Sequence, residues 1–256
     1  EAIFQEMKAR GETNLKFLIN MDMEVSNENV LSWRELVEAG KVLIEKGNRE
    51  FLDAQIERDT MSIILFTSGT TGIAKGVMLS HGNIVEDLMA SPTLLRVVPE
   101  DVFFSVLPIH HTYECTCGFL MPLYRGASVA YCEGLKYIVK NLSEARPTIF
   151  LGVPLIFESL YKKIWQNAKK SGKAATLKRV VAINKITKKI GIDLAPIFFK
   201  QIQALFGGRM KVLICGGAGI DPNILQGIRD FGVNAVQGYG LTECAPICAL
   251  NPDKYP

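Results

Sequence analysis

Short apolar runs alternate along the chain with longer stretches in which apolar residues recur at helical spacing. Residues 15–19, 61–66, 102–107, 127–131, 148–151, 210–215 and 234–237 read as buried strands, because each is brief, apolar and bounded by turn-forming or polar residues. Between them, Ser32 and Glu35 have the spacing of a capping box, which predicts a helix over residues 33–46. Further helices are expected at 81–90, 113–124, 135–145 and 223–231. Such alternation implies an α/β fold of layered, mainly parallel sheets flanked by helices, with ligand loops at the carboxyl ends of strands. Pro92 and Pro99 interrupt the pattern, so a boundary is expected within residues 91–101, giving subdomains 1–96 and 97–256.

From 154 to 206 the pattern is helical and basic, with Lys162, Lys163, Lys169, Lys170, Lys173 and Lys178 followed by five more cations and few acids. An amphipathic surface of this kind could rest on anionic lipid headgroups; the competing reading is a solvated lysine face over a core-facing stripe. Elsewhere charge is balanced, 29 Lys and Arg against 26 Asp and Glu, which gives no argument for nucleic acid as a partner. The 48% apolar content suffices for a sizeable core. Six cysteines lie in apolar or glycine-rich stretches without a recognisable leader, so reduced thiols and a cytoplasmic location, with peripheral membrane contact as an option, are expected. The chain opens on Glu1 and stops at Pro256 close to a functional motif, and is therefore expected to be a piece of a longer protein.

Three clusters carry chemistry. After the apolar run 61–66 comes Thr67-Ser68-Gly69-Thr70-Thr71-Gly72-Ile73-Ala74-Lys75-Gly76, a series of hydroxyls and glycines closed by a cation. Free amides, small donors and one lysine suit a polyphosphate. It is not a P-loop, since no hydroxyl residue follows Lys75-Gly76, nor a serine-hydrolase elbow, since Phe66 and Thr70 stand where glycines are needed. The second cluster, Gly216-Gly217-Ala218 after the run 211–215, would let a flat ligand approach the backbone. The third, Gln237-Gly238-Tyr239-Gly240-Leu241-Thr242-Glu243, combines an aromatic face, a hydroxyl and a carboxylate. His110, His111, Cys115 and Cys117 lack the spacing of a structural zinc site.

With Leu107-Pro108-Ile109-His110-His111-Thr112-Tyr113, these clusters stand in the order of the motifs of the adenylate-forming family, which the chain resembles from about Leu15 to Ala249. That family includes acyl-CoA synthetases, firefly-type luciferases and peptide-synthetase adenylation domains. The stretch 153–161 and Phe206-Gly207-Gly208-Arg209 look most like long-chain fatty acid–CoA ligases.

The resemblance implies an incomplete large N-terminal domain. Thr67, Ser68, Gly69, Thr70, Thr71, Gly72 and Lys75 would hold the outer phosphates of ATP. Gly216, Gly217, Ala218, Gly238, Tyr239 and Gly240 would form the adenine and acyl pockets, with Tyr239 stacked on the base. Thr242 would meet the α-phosphate, Glu243 would ligate Mg²⁺, and His111 would orient the acid's carboxylate, with Tyr113 as its nearby aromatic. Ala74 stands where the family signature usually has proline. The implied reaction turns a fatty acid and ATP into an acyl-adenylate and then, with coenzyme A, a thioester. The family's smaller C-terminal domain and ribose-binding aspartate motif are not found before Pro256, so the piece is expected not to complete a turnover. Adenylation of aryl or amino acids, and a nonenzymatic nucleotide- or lipid-binding descendant, are the alternatives.

Overall fold

A computed structural model describes residues 2–68 and 74–251. Contacts divide the chain into Glu1–Ile56 and Glu57–Pro256. The first unit holds helix α1 (Ala2–Ala9), two paired parallel strands, β1 (Leu18–Asn20) and β2 (Val30–Ser32), and helix α2 (Trp33–Glu45). Half of the expected capping box forms. Ser32 Oγ accepts from Glu35 N–H at 3.4 Å, but the Glu35 carboxylate accepts from Ser26 N–H at 2.9 Å instead of reaching back. The Ser32 N–H turns to Ser26 Oγ at 2.8 Å, which explains the missing arm.

The second unit is built on a six-stranded sheet of order β10-β9-β8-β7-β5-β6, parallel except at β10. Its strands are β5 (Val102–Ser105), β6 (Ser128–Tyr131), β7 (Ile149–Gly152), β8 (Val212–Cys215), β9 (Ala235–Gly240) and β10 (Ile247–Leu250). Period-two alternation sends neighbouring residues to opposite faces. Phe104, Phe150 and Leu213 join one core with helices α5 (Ile138–Ala145), α6 (Pro154–Lys170) and α10 (Pro222–Asp230). Phe103, Ile149, Leu151, Val212 and Ile214 join another. There they meet Leu95, Val97, Cys117 from a π-helix (Tyr113–Leu120) and Met121 from α4 (Met121–Arg125), into which the π-helix runs. Burying each of these phenylalanines stabilises the fold by ~2 kcal/mol.

Helices α7 (Ala174–Lys189), α8 (Ala195–Phe198) and α9 (Lys200–Leu205) complete the basic segment. Among the described residues no helix is long and apolar enough to cross a membrane.

Two expectations are corrected. The run 61–66 belongs to β3 (Met61–Ser68), which is not a buried strand of the parallel sheet. It pairs antiparallel with β4 (Ala74–Ser80), and Ile64 and Phe66 are exposed. The hydroxyl-rich cluster therefore begins on a two-stranded ribbon, not at the carboxyl end of a parallel strand. The contact division falls at 56/57 and not within 91–101, because Leu95 and Val97 share a core with Phe103. Asp87 of α3 (His81–Ala90), moreover, accepts from Ile247 N–H at 3.1 Å. His81 stands at the entrance of α3 as expected, behind a capping box made by Ser80 and Asn83.

Candidate functional site

A cavity of about 870 Å³ opens at the carboxyl ends of the parallel strands. Thr67, His111, Tyr113, Tyr239, Thr242 and Glu243 all line it, together with Gly217, Gly238 and Gly240. Four stretches of the sequence, spread from Thr67 to Glu243, thus meet around one space. Its deeper wall is apolar, formed by Val97, Phe103, Met121, Leu151 and Ile214. A polar rim over an apolar floor suits an amphiphilic ligand.

Lys75 does not itself line the cavity; it is exposed and stands directly opposite Thr67 in the β3–β4 ladder. Directly opposed residues of an antiparallel pair share a face, so the ammonium and the Thr67 hydroxyl belong to the same side of the ribbon. Ser68 pairs through its backbone with Ala74. Gly69, Thr70, Thr71 and Gly72 lie outside the described residues.

His111 sits on the link from β5 to the π-helix. Its N–H donates to Pro108 O at 3.0 Å, and its carbonyl accepts from Cys115 N–H at 2.9 Å. The His110 ring lies beside it, centroids 4.8 Å apart. Tyr113 then crosses beneath the sheet end, its hydroxyl donating to Ile214 O at 3.0 Å. Burial, with smaller contributions from the neighbouring Cys117, Cys215 and Glu114, pushes that hydroxyl well above the usual phenol range, so it stays a donor.

Two of the expected ligand contacts lie outside the cavity lining. Gly216 is buried against the Tyr113 ring, which a Cβ there would approach to 2.9 Å. Ala218 is exposed and outside the cavity lining. Gly217, at φ +80°, does line it, in a conformation that favours glycine.

The third cluster owes its shape to a close backbone approach. A Cβ on Gly240 would fall 2.1 Å from Pro246 O, which also accepts from Leu241 N–H at 2.9 Å. The chain can therefore fold back tightly through a 3₁₀ turn (Thr242–Cys244) into β10. Tyr239 remains 63% exposed, leaving its ring free to stack on a flat group. Thr242 is half-buried and Glu243 exposed, both facing the same cavity. Among the described residues there is no cluster of three or more potential metal ligands, so a hard cation here would rest on Glu243 and on ligand oxygens.

One buried residue next to the cavity-lining Tyr113 was not singled out in the sequence. Glu114 on the π-helix is 1% exposed; it accepts from the Ser105 hydroxyl and the Leu107 N–H, and its Oε2 has no partner among the described residues. Burial raises its carboxyl from 4.5 to about 7 against the opposing effect of those hydrogen bonds. A lone acid inside the run 113–120 was the available signal. The apolar floor was foreshadowed by strand alternation, which puts Phe103 and Ile214 on the face opposite Phe104 and Leu213.

Comparison with known proteins shows the family. Long chain acyl-CoA synthetase 7, peroxisomal, of Arabidopsis thaliana is 30% identical over 203 residues, 76% of this chain and 29% of that protein. Long-chain-fatty-acid–CoA ligase 6 of Mus musculus is 34% identical over 203 residues, covering 75% and 29%. The chain thus spans less than a third of the length of these relatives. ATP-bound MatB from Rhodopseudomonas palustris superposes with a TM-score of 0.56 at 25% identity, over 78% of this chain and 33% of that one. VinN in complex with L-aspartate reaches 0.66 over 98% and 57%; at 17% identity it speaks to the fold alone. Residues 4–256 match the AMP-binding enzyme family, and the chain belongs to it.

Proposed function

We propose that the chain is the nucleotide-binding portion of an AMP-forming ligase that activates a long-chain fatty acid with ATP and passes the acyl group to coenzyme A. The observation that carries this reading is the convergence of Thr67, His111, Tyr239, Thr242 and Glu243 on one cavity with an apolar floor. A carboxylate is a weak nucleophile, and here it approaches an anion. The protein must therefore offset charge and hold geometry, and no covalent enzyme nucleophile is required.

Lys75 and the hydroxyl-rich segment would hold the leaving pyrophosphate, Thr242 would donate to the α-phosphate, Tyr239 would stack on adenine, and His111 would orient the acid. Glu243 fits the requirement for Mg²⁺, being an exposed carboxylate on the rim of the cavity that would receive the phosphates. When bound, Mg²⁺ supplies charge compensation on the phosphates. Support for a long acyl chain comes from the two ligases named above and from the apolar floor.

The test is ATP–pyrophosphate exchange by the full-length parent with fatty, aryl and amino acids. Fatty-acid-dependent exchange that Glu243→Gln reduces at least ~100-fold is expected. Exchange confined to aryl or amino acids would replace the substrate class, and none with any acid would favour a binding protein.

We also propose a cytoplasmic protein that touches membranes peripherally. Ile183 and Ile186 on α7, and Ile190 just past its end, are exposed on a segment that also exposes Lys178, Arg179 and Lys189, which supports contact with anionic lipid.

A further inference from the structure

Building on the ligase reading, we infer that Glu114 is a positioning residue for the wall that carries His111. Its carboxyl clamps residues 105–112 to the π-helix and so sets where the acid's carboxylate is met. The clamp has two jaws. On one side the Ser105 hydroxyl, at the end of β5, donates to Oε1, and the Leu107 N–H donates to the same carboxyl. Leu107, Pro108, His111 and Thr112 then continue into the cavity lining. On the other side stands Gly118, whose missing Cβ would lie 2.7 Å from Glu114 Cδ and Oε1. The carboxyl is thus seated in a notch that only glycine provides, and it holds the chain just before the histidine. π-Helical turns occur often at functional sites, where the wider turn re-aims a side chain.

A space-filling residue at this place would be apolar, since burying a carboxyl with one oxygen unpaired costs stability. What it gains is a link between strand end and helix that becomes costly once the group ionises: a carboxylate accepts from Ser105 and Leu107 more strongly, but it leaves a buried charge on the unpaired Oε2. Tyr113 and Cys117 share its helix, and Asp87 of α3 and Cys215 of β8 act on those two; Glu114 makes no ion pair among the described residues. Its carboxyl reaches about pH 7 before ionising. Above that, Oε2 becomes a buried charge without a donor. Drawing water to it displaces Leu107 and with it the His111 segment.

Two measurements test the clamp, in wild type and Glu114→Gln, which stays uncharged and keeps an acceptor for Ser105 and Leu107. The first follows backbone amide exchange of residues 105–112 in the 256-residue chain at pH 6.5 and 8.5, corrected for the chemical rate. Protection should fall at the higher pH in wild type and hold in the variant; equal protection at both pH values in wild type overturns the clamp. The second follows pyrophosphate exchange by the full-length parent. Above pH 7, kcat/KM for the acid should fall roughly tenfold per pH unit in wild type and stay level in Glu114→Gln, with KM for ATP unmoved in both. Superimposable profiles overturn the positioning role. Absence of exchange in the wild-type parent removes the ligase reading instead, and amide exchange still decides the clamp.

Discussion

Replacing Asp101 by alanine should destabilise the sheet severely without touching the cavity. Asp101 is fully buried just before β5 and binds the amino ends of three adjacent strands. Its carboxylate accepts from Val98 N–H at 2.9 Å, from the Thr148 hydroxyl before β7 at 2.8 Å and from Lys211 Nζ before β8 at 2.5 Å. Thr148 extends the knot, its Oγ1 accepting from Val102 N–H at 3.0 Å and its carbonyl from Lys211 N–H at 2.7 Å. Hydrogen bonds to a charged group contribute ~1.5–3 kcal/mol each, and breaking a buried pair from one side costs ~3–5 kcal/mol. Those contributions overlap, since the lysine bond is one of the three and Lys211 is half-exposed, so we expect a loss of ~4 kcal/mol. Against a total of ~5–15 kcal/mol that is a large fraction.

In urea, with a slope of ~2 kcal/mol per molar, the midpoint should drop by ~2 M. Burial alone would raise the Asp101 carboxyl; the Lys211 contact, the Val98 amide and the Thr148 hydroxyl outweigh it and hold the group below the ordinary carboxylate range. Its stabilisation is therefore fully present above pH ~4 and lost as pH falls through the depressed value. The wild-type midpoint should converge on that of the variant in acid. A shift of less than ~0.5 kcal/mol at neutral pH, or one independent of pH, would refute this account.

Glu114 should give the opposite pH dependence. The folded chain keeps a proton that the unfolded chain releases, so stability falls between pH 4.5 and about 7, by ~3 kcal/mol in total, and is level above. Unfolding free energies across that range should slope in wild type and lose this component in Glu114→Gln; parallel curves would contradict the assignment. Gly240→Ala should cost ~3 kcal/mol or more through collision with Pro246 O, whereas Gly238→Ala, whose nearest contact would be 3.5 Å away, should be nearly silent in a thermal melt. A double Ile186→Glu and Ile190→Glu change should weaken co-sedimentation with phosphatidylserine vesicles at least ~10-fold; undiminished binding would move the lipid contact off α7.

Much of the main sheet was legible in the sequence because its strands are apolar on both faces. Phe103 and Phe104, or Leu213 and Ile214, are buried to either side, and such runs stand out. The run 61–66 has the same composition yet forms an exposed ribbon. Local pattern cannot tell which partner a strand finds, and β4, carrying Lys75 and Gly76, has no apolar run to announce it. β10 escaped notice for a similar reason, being four residues that pair only after the tight return past Gly240. The helix after His111 was expected, but apolar periodicity does not distinguish an α-helix from the π-helix that forms there. Motif order singled out Thr67, His111, Tyr239, Thr242 and Glu243, which line the cavity, whereas the contact between Gly216 and the Tyr113 ring, made across the fold, could not be read from sequence.

Tyr113 and Gly216 form one packing unit. With the phenol hydroxyl fastened to Ile214 O and the ring laid flush on the glycine, an alanine at 216 would require a smaller side chain at 113 in the same lineage. Drift at either position alone is penalised, and related chains that differ here should be found to have exchanged both together.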